Sequence, residues 1–330
     1  MKAVLVKKPG DAGQLYIGEF PTPEPQDKEI LVKVKATAVN RADIHQRKGH
    51  YPPPKGASPI IGLEVSGVVE ATGANVTKWK VGDRVFGLLE GGGYAEYAVL
   101  HEDMAMPIPD SLSYEDTAAI PEVFLTAYQT LFWIGHLKQG ERVLIHAGAS
   151  GVGTAAIQMA KLNGAYVAVT AGSKEKLDAC QKLGADLAIN YKTDDFAKVI
   201  QEALGPSSID VVLDFIGASY WEQNLEVLGM DGRHVLISTL SGYKLENVDL
   251  RAIMGKRLTL TGTTLRSRDR DYKVKLTQEF MDTMLPLFKK GELKPIVDRV
   301  FPIAEVQEAH RYMEANKNIG KIVLSVGELR

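Results

Sequence analysis

Apolar and polar positions divide the 330-residue chain into two regimes. Up to about residue 120, apolar residues fall in short Val-rich runs broken by Gly and Pro: EILVKVKATAV (29–39), EVSGVVEATG (64–73) and DRVFGLL (83–89). Such runs predict the strands of a compact, mostly β domain. From about 123 to 263 strand-like runs alternate with helical stretches. The strands are RVLIHAG (142–148), YVAVTAG (166–172), DLAINY (186–191), IDVVLDFIG (209–217) and GRHVLIS (232–238); TAAIQMAKLNG (154–164) and KEKLDACQKLG (174–184) are helices. Strand and helix in alternation predict a doubly wound parallel sheet, so the fold class is α/β. Gly164 and Gly184 stand where helix C-caps are expected. Residues 266–330 carry one amphipathic helix around 276–289 and end in KIVLSV. That last strand has no place in a parallel sheet and is expected to return to the first domain. The expected division is 1–122, 123–265 and a returning segment 266–330.

Composition narrows the function. Apolar residues make up 45% and charged residues 24%, the balance of a soluble globular protein. Net charge is −2, with no basic excess to grip nucleic acid phosphates. The N-terminus MKAVLVKKPG lacks the apolar core of a signal peptide, and no apolar run approaches a bilayer span, so a cytoplasmic protein is expected. The single cysteine, Cys180, rules out an internal disulfide and a cysteine-built structural zinc site.

The stretch VLIHAGASGVGTAAIQMA (143–160) carries the clearest chemistry. A buried strand runs into Gly148, Ser150, Gly151 and Gly153, and a helix opens at once. Glycines let backbone N–H groups approach a pyrophosphate, and the helix N-terminus adds partial positive charge. Ser150 stands where the middle glycine is usual, but strand, turn, helix and second strand supply the context. A turn that merely packs helix on strand is the plain alternative.

The end of the second strand selects the cofactor. An NAD site places Asp or Glu there, for the adenosine ribose. Here VTAGSKEKL (169–177) offers Gly172, Ser173, Lys174 and Lys176. A hydroxyl and ammonium groups at a helix start suit a 2′-phosphate, which a carboxylate would repel. NADPH is therefore the expected cofactor, against the alternative that Ser173 is a plain N-cap beside solvated lysines.

These residues, with the motifs NRADIHQRKGHYPPP (40–54), PIIGLEVSGVV (59–69), VGDRVFGL (81–88), GGYAEY (92–97), AAIPEVFLTAY (118–128) and HAGASGVGTAAIQ (146–158), resemble the medium-chain dehydrogenase/reductase superfamily, within it the quinone oxidoreductase branch. LRSRDRDYK (265–273) and ANKNIGKIVL (315–324) resemble the p53-inducible quinone oxidoreductase subgroup. The resemblance implies a GroES-like catalytic domain and a Rossmann domain with strand order 3-2-1-4-5-6. The three catalytic zinc ligands of alcohol dehydrogenases in that superfamily align with Asn40, Leu63 and Glu122. Leu63 cannot ligate and an amide is a poor ligand, so no metal is expected. A set built from His45, Glu64 and Glu122 is set aside, because ligands orphaned from their pattern are usually core or surface residues.

Without a Lewis acid an alcohol is a poor substrate, whereas a quinone is already electron-poor. Reduction then rests on holding the nicotinamide C4 against the acceptor, with donors near the developing oxyanion. Asn40 and Tyr51 are the candidate catalytic donors, with a turn residue and a packing anchor as their structural alternatives. By resemblance Tyr51 also contacts the cofactor, Thr126 meets the nicotinamide carboxamide, and Ser150, Gly151 and Val152 hold the pyrophosphate. Gly172, Ser173, Lys176 and Tyr191 surround the adenosine phosphate, while Ile216, Leu265, Ser267 and Asn318 line the remainder. Arg266 and Arg268 are left between phosphate and solvent. The expected function is NADPH-dependent quinone reduction. The rivals are an enone or enoyl-thioester reductase and a non-catalytic, crystallin-like NADPH binder. RLTLTGTTL (257–265) reads as an edge strand through which a homodimer would form.

Overall fold

A computed structural model describes residues 1–246 and 248–327. The chain forms two compact units, Met1–Leu125 together with Arg266–Arg330, and Thr126–Leu265.

In the first unit a seven-stranded sheet is built around Glu29–Val39, the longest strand. Glu64–Thr72 and Tyr97–His101 run antiparallel to it, and so does Lys321–Ser325. The C-terminal strand thereby joins a sheet whose other strands, apart from Val297–Pro302 beside it in parallel, lie between Glu29 and Pro107. Ala36, Ala38, Ala118, Ala119 and Val323 pack a core of small side chains under the sheet. The helix Pro121–Tyr128 leaves this unit with Phe124 buried against Phe288, ring centroids 4.9 Å apart. The amphipathic run expected at 276–289 is two helices, Arg270–Thr283 and Leu285–Lys290. Pro286 lies in the first turn of the second helix, where its missing N–H costs nothing, but it cannot continue the first.

The second unit is a six-stranded parallel sheet. In spatial order its strands are Leu187–Asn190, Tyr166–Ala171, Arg142–Ile145, Ile209–Asp214, Leu228–Leu236 and Thr259–Gly262. This is the 3-2-1-4-5-6 order, with the chain reversing direction across the sheet next to Arg142–Ile145. Leu144, Ala168, Ile189, Phe196, Ile200 and Val212 form its core. Helices Gly151–Leu162 and Lys174–Lys182 are followed by Gly164 and Gly184 at φ 78° and 109°, left-handed positions that glycine adopts without strain. Among the described residues no helix is long and apolar enough to cross a membrane.

Candidate active site

In the parallel unit the strand Arg142–Ile145 leads into a tight turn and the helix Gly151–Leu162. Ser150 is the N-cap: its hydroxyl accepts from Gly153 N at 3.0 Å. The first-turn amides of Gly151 and Val152 have no carbonyl behind them within the helix, so they are available to an anion. Gly153 is required sterically, since a Cβ there would stand 2.4 Å from Gly148 O. A Cβ on Gly148 would press on Val169 and on Cys180 Sγ. The Cys180 thiol is buried, and burial pushes its pKa up to about 12, so it stays an inert apolar plug.

Gly172, Ser173, Lys176 and Tyr191 come together at the end of the next strand. Ser173 caps the helix Lys174–Lys182, its oxygen accepting from Lys176 N at 3.3 Å. The Tyr191 hydroxyl hangs over Gly172, where a Cβ would come within 2.7 Å of it. The strand ends in Ala171, Gly172 and Ser173 without a carboxylate. Lys174 turns outward to a solvated pair with Asp178, so its charge is engaged on its own helix. Of the remaining residues in this unit, Thr126 is buried and its carbonyl accepts from Thr130 Oγ1. Ile216 is half-buried beside Asp214, and Leu265 is buried.

Asp214 closes a buried polar network. Its Oδ1 accepts from Ile216 and Gly217 amides, and its Oδ2 from Asn224 Nδ2 and His234 Nε2. Four donors are a structural duty, and against the cost of burial they hold its carboxyl below the ordinary range. His146 lies behind, between Thr170 Oγ1 and Asn224 Oδ1, and burial pushes its pKa down to about 4.

In the other unit Asn40 is the N-cap of the helix Arg41–Arg47, and its own N–H donates to Asp43 Oδ2 at 2.7 Å. Its amide is fully engaged: Nδ2 donates to Glu64 Oε1 at 2.8 Å, and Oδ1 accepts from Lys321 Nζ at 2.6 Å. Lys321 also donates to Glu64 Oε1 at 2.8 Å, and Glu64 Oε2 accepts from the Glu122 amide at 2.9 Å. Sequence reading missed Lys321, which lies 281 residues beyond Asn40; its place at the head of the strand Lys321–Ser325, directly after Gly320, gave no signal.

Tyr51 is half-buried, with the Arg266 guanidinium 5.3 Å from its ring centroid. Burial, and then the nearby Glu122, raise its phenol above the usual range, so the hydroxyl keeps its proton. Burial and the neighbouring Glu64 push the Glu122 carboxyl up to about 8. Asp43, buried beside the Tyr94 hydroxyl at 3.2 Å, is pushed up to about 7 by burial. Ser267 is exposed, and Asn318 donates to Gly320 O within its own turn.

An alcohol dehydrogenase GroES-like domain model matches residues 26–110, and a zinc-binding dehydrogenase model matches 151–283. A quinone oxidoreductase of Pongo abelii is 30% identical over 331 residues, covering 98% of this chain and 97% of that protein. A synaptic vesicle membrane protein VAT-1 homolog of Danio rerio is 30% identical over 92% of this chain, and the chain spans 65% of that relative's length. The solved Escherichia coli quinone oxidoreductase complexed with NADPH aligns at a TM-score of 0.89 and 31% identity, over 98% of this chain and 100% of that one. CurK enoyl reductase aligns at 0.85 and 30% identity, over 99% of both chains.

The zinc-binding description can be tested on the donors. Asn40 Oδ1 and Glu64 Oε1 are already bridged by the Lys321 ammonium, and the neighbouring Leu63 is apolar and buried. Neither thiolate nor imidazole is among them, and no group of three His, Cys, Asp or Glu residues is placed to hold a metal among the described residues. These residues do not fit a zinc ion.

Proposed function

Taking as premise that the chain belongs to the medium-chain dehydrogenase/reductase superfamily, in its zinc-free quinone oxidoreductase branch, we propose that it reduces a quinone with NADPH and without metal. The observation that carries this reading is the Lys321 ammonium seated on Asn40 and Glu64. A fixed, buried cation there leaves those donors no vacancy for a Lewis acid, so the acceptor must be electrophilic by itself. A quinone is.

NADPH, when bound, supplies the hydride. The residues Ser150, Gly151 and Val152 would hold its pyrophosphate, with Gly148 and Gly153 shaping the turn. Ser173 and Lys176, beside Gly172 and Tyr191, would hold the 2′-phosphate, and Thr126, Ile216, Leu265, Ser267 and Asn318 would complete the binding surface. The first-turn amides at Ser150 and the missing carboxylate after Ala171 support that assignment. On the acceptor, Tyr51 donates its phenolic proton in a hydrogen bond to the oxygen that gains charge. Asn40, with its amide engaged, acts as a positioning residue that holds Lys321 and Glu64.

A second reading, reduction of an enone or enoyl thioester, is favoured by the protonated Tyr51 phenol, which suits delivery of a proton to substrate carbon. Turnover of NADPH with 1,2- and 1,4-quinones, enones and enoyl thioesters separates the two. Quinones are expected to give the highest kcat/KM; dominant turnover of enoyl thioesters would overturn the quinone assignment.

The chain is also proposed to form a homodimer. Thr259–Gly262 is the last strand of its sheet, paired on one side only among the described residues, with Thr259 and Leu260 exposed. Pairing two such edges would satisfy both.

A further inference from the structure

Arg266 is 5% exposed, yet one of its nitrogens has no hydrogen-bond partner among the described residues. Nε and Nη2 donate to the Glu90 carbonyl at 2.9 and 2.7 Å. Tyr51 lies under the guanidinium face. Nη1 is buried without a hydrogen-bond partner among the described residues. A buried cationic N–H that the protein leaves unmatched is strongly disfavoured unless a ligand completes it. The side chain is also held in place from several sides. Gly91 lies against it, where even an added Cβ would stand 3.6 Å from Nη2. Lys273 reaches Glu90 Oε1, fixing the residue whose carbonyl Arg266 uses. Burial lowers the guanidinium pKa, but Asp43, Tyr51, Glu122 and Glu90 act against that loss, and arginine stays charged in proteins.

We propose that Arg266 Nη1 is a charged hydrogen-bond donor for the acceptor oxygen on which negative charge collects during reduction. This rests on the reading above and names a property of the acceptor: it must carry an oxygen that becomes a phenolate-like anion. Hydride transfer gives the quinone two electrons and one proton, with NADPH oxidised to NADP+. The hydroquinone monoanion that results takes its second proton from water. Arg266 stabilises that monoanion more than the neutral quinone, which makes the contact one that strengthens as reaction proceeds. Stacked on Arg266, Tyr51 shares the same ligand: its hydroxyl donates and its ring holds the guanidinium flat. An enoyl thioester protonated on carbon would draw less from this donor.

Two measurements on the intact protein test it. The first is steady-state turnover of Arg266→Met and Arg266→Lys with a series of quinones graded by hydroquinone acidity, alongside the NADPH dissociation constant. Arg266→Met is expected to lower kcat by about 100-fold, most for acceptors whose anions are least stable, with NADPH affinity unchanged. Arg266→Lys, which keeps charge but not the fork, is expected to recover about 10-fold of that. The second is equilibrium binding of 4-nitrophenol, an unreactive mimic of the monoanion, read by its absorbance. Wild type is expected to bind it as phenolate below the pH at which the free dye ionises, and Arg266→Met is not. NADPH affinity falling in step with turnover would overturn the proposal and make Arg266 a cofactor-phosphate contact. Identical dye titrations in wild type and in a folded Arg266→Lys or Arg266→Met would overturn it as well. Normal dye behaviour with no quinone turnover in wild type would sink the quinone reading while leaving the Arg266 site standing.

Discussion

Lys321 Nζ lies 2.8 Å from Glu64 Oε1, both side chains buried, and Asn40 bonds to each partner. Breaking such a pair leaves a lone buried charge, which costs about 3–5 kcal/mol, far more than the pair itself contributes. Lys321→Met should therefore destabilise the protein by that amount in denaturant unfolding. Adding Glu64→Gln to it should restore part of the loss. A double variant as unstable as the sum of the singles would show that the two side chains are not coupled.

The 2′-phosphate assignment predicts an asymmetric loss. Replacing Ser173 and Lys176 with Ala removes a hydroxyl and a charge, about 1.5–3 kcal/mol for a charge-assisted contact. The NADPH dissociation constant should rise about 10- to 100-fold, and the NADH constant far less. Ser173 also caps its helix, so some thermal stability should be lost regardless of cofactor. Equal weakening of both cofactors would remove the assignment.

The buried titrating groups set a pH dependence. The folded-state pKa values of Asp43 and Glu122 are about 7 and 8, above the ordinary carboxylate range of about 4. The folded state keeps those protons when the unfolded chain has lost them, so stability falls as pH rises from about 4 to about 8. His146 and His310, pushed down to about 4 and 3 by burial, act oppositely, adding stability as pH rises toward about 6.5. Above about pH 6.5 only the carboxyls remain. Stability should fall between about pH 6.5 and 8, by no more than about 2 kcal/mol from Glu122, lowering the melting temperature, and Glu122→Gln should flatten that slope. A wild-type profile that rises across this window would contradict the raised carboxyl of Glu122.

The parallel sheet was legible because each of its parts is local. A buried strand, a glycine turn and a helix follow one another directly at 142–162, whereas the strand order was carried by the resemblance and not by that unit. Pro286 was legible too, but a periodic apolar pattern on both sides of it concealed the helix break. What the sequence could not display is contact across distance. Lys321 meets Asn40 only because the last strand pairs with Glu29–Val39. Arg266 meets the Glu90 carbonyl across 176 residues, and its unmatched Nη1 exists only in three dimensions.

Assembly has its own test. If the Thr259–Gly262 edges pair, the protein should elute as a dimer at micromolar concentration. Replacing Leu260, whose N–H faces away from the paired strand, with Pro should shift it to monomer, because proline removes a donor on the free edge. A wild-type monomer would remove the dimer.

Metal-independent hydride transfer to a quinone is tested most directly by single-turnover oxidation of NADPH in protein dialysed against a strong chelator. With a 1,4-quinone, loss of the NADPH signal should be rapid and quinone-dependent. The rate should be unaltered by added zinc and slowed when deuterium replaces the transferred hydrogen at nicotinamide C4. A reaction that needs restored metal, or no oxidation of bound NADPH by any quinone, would contradict it.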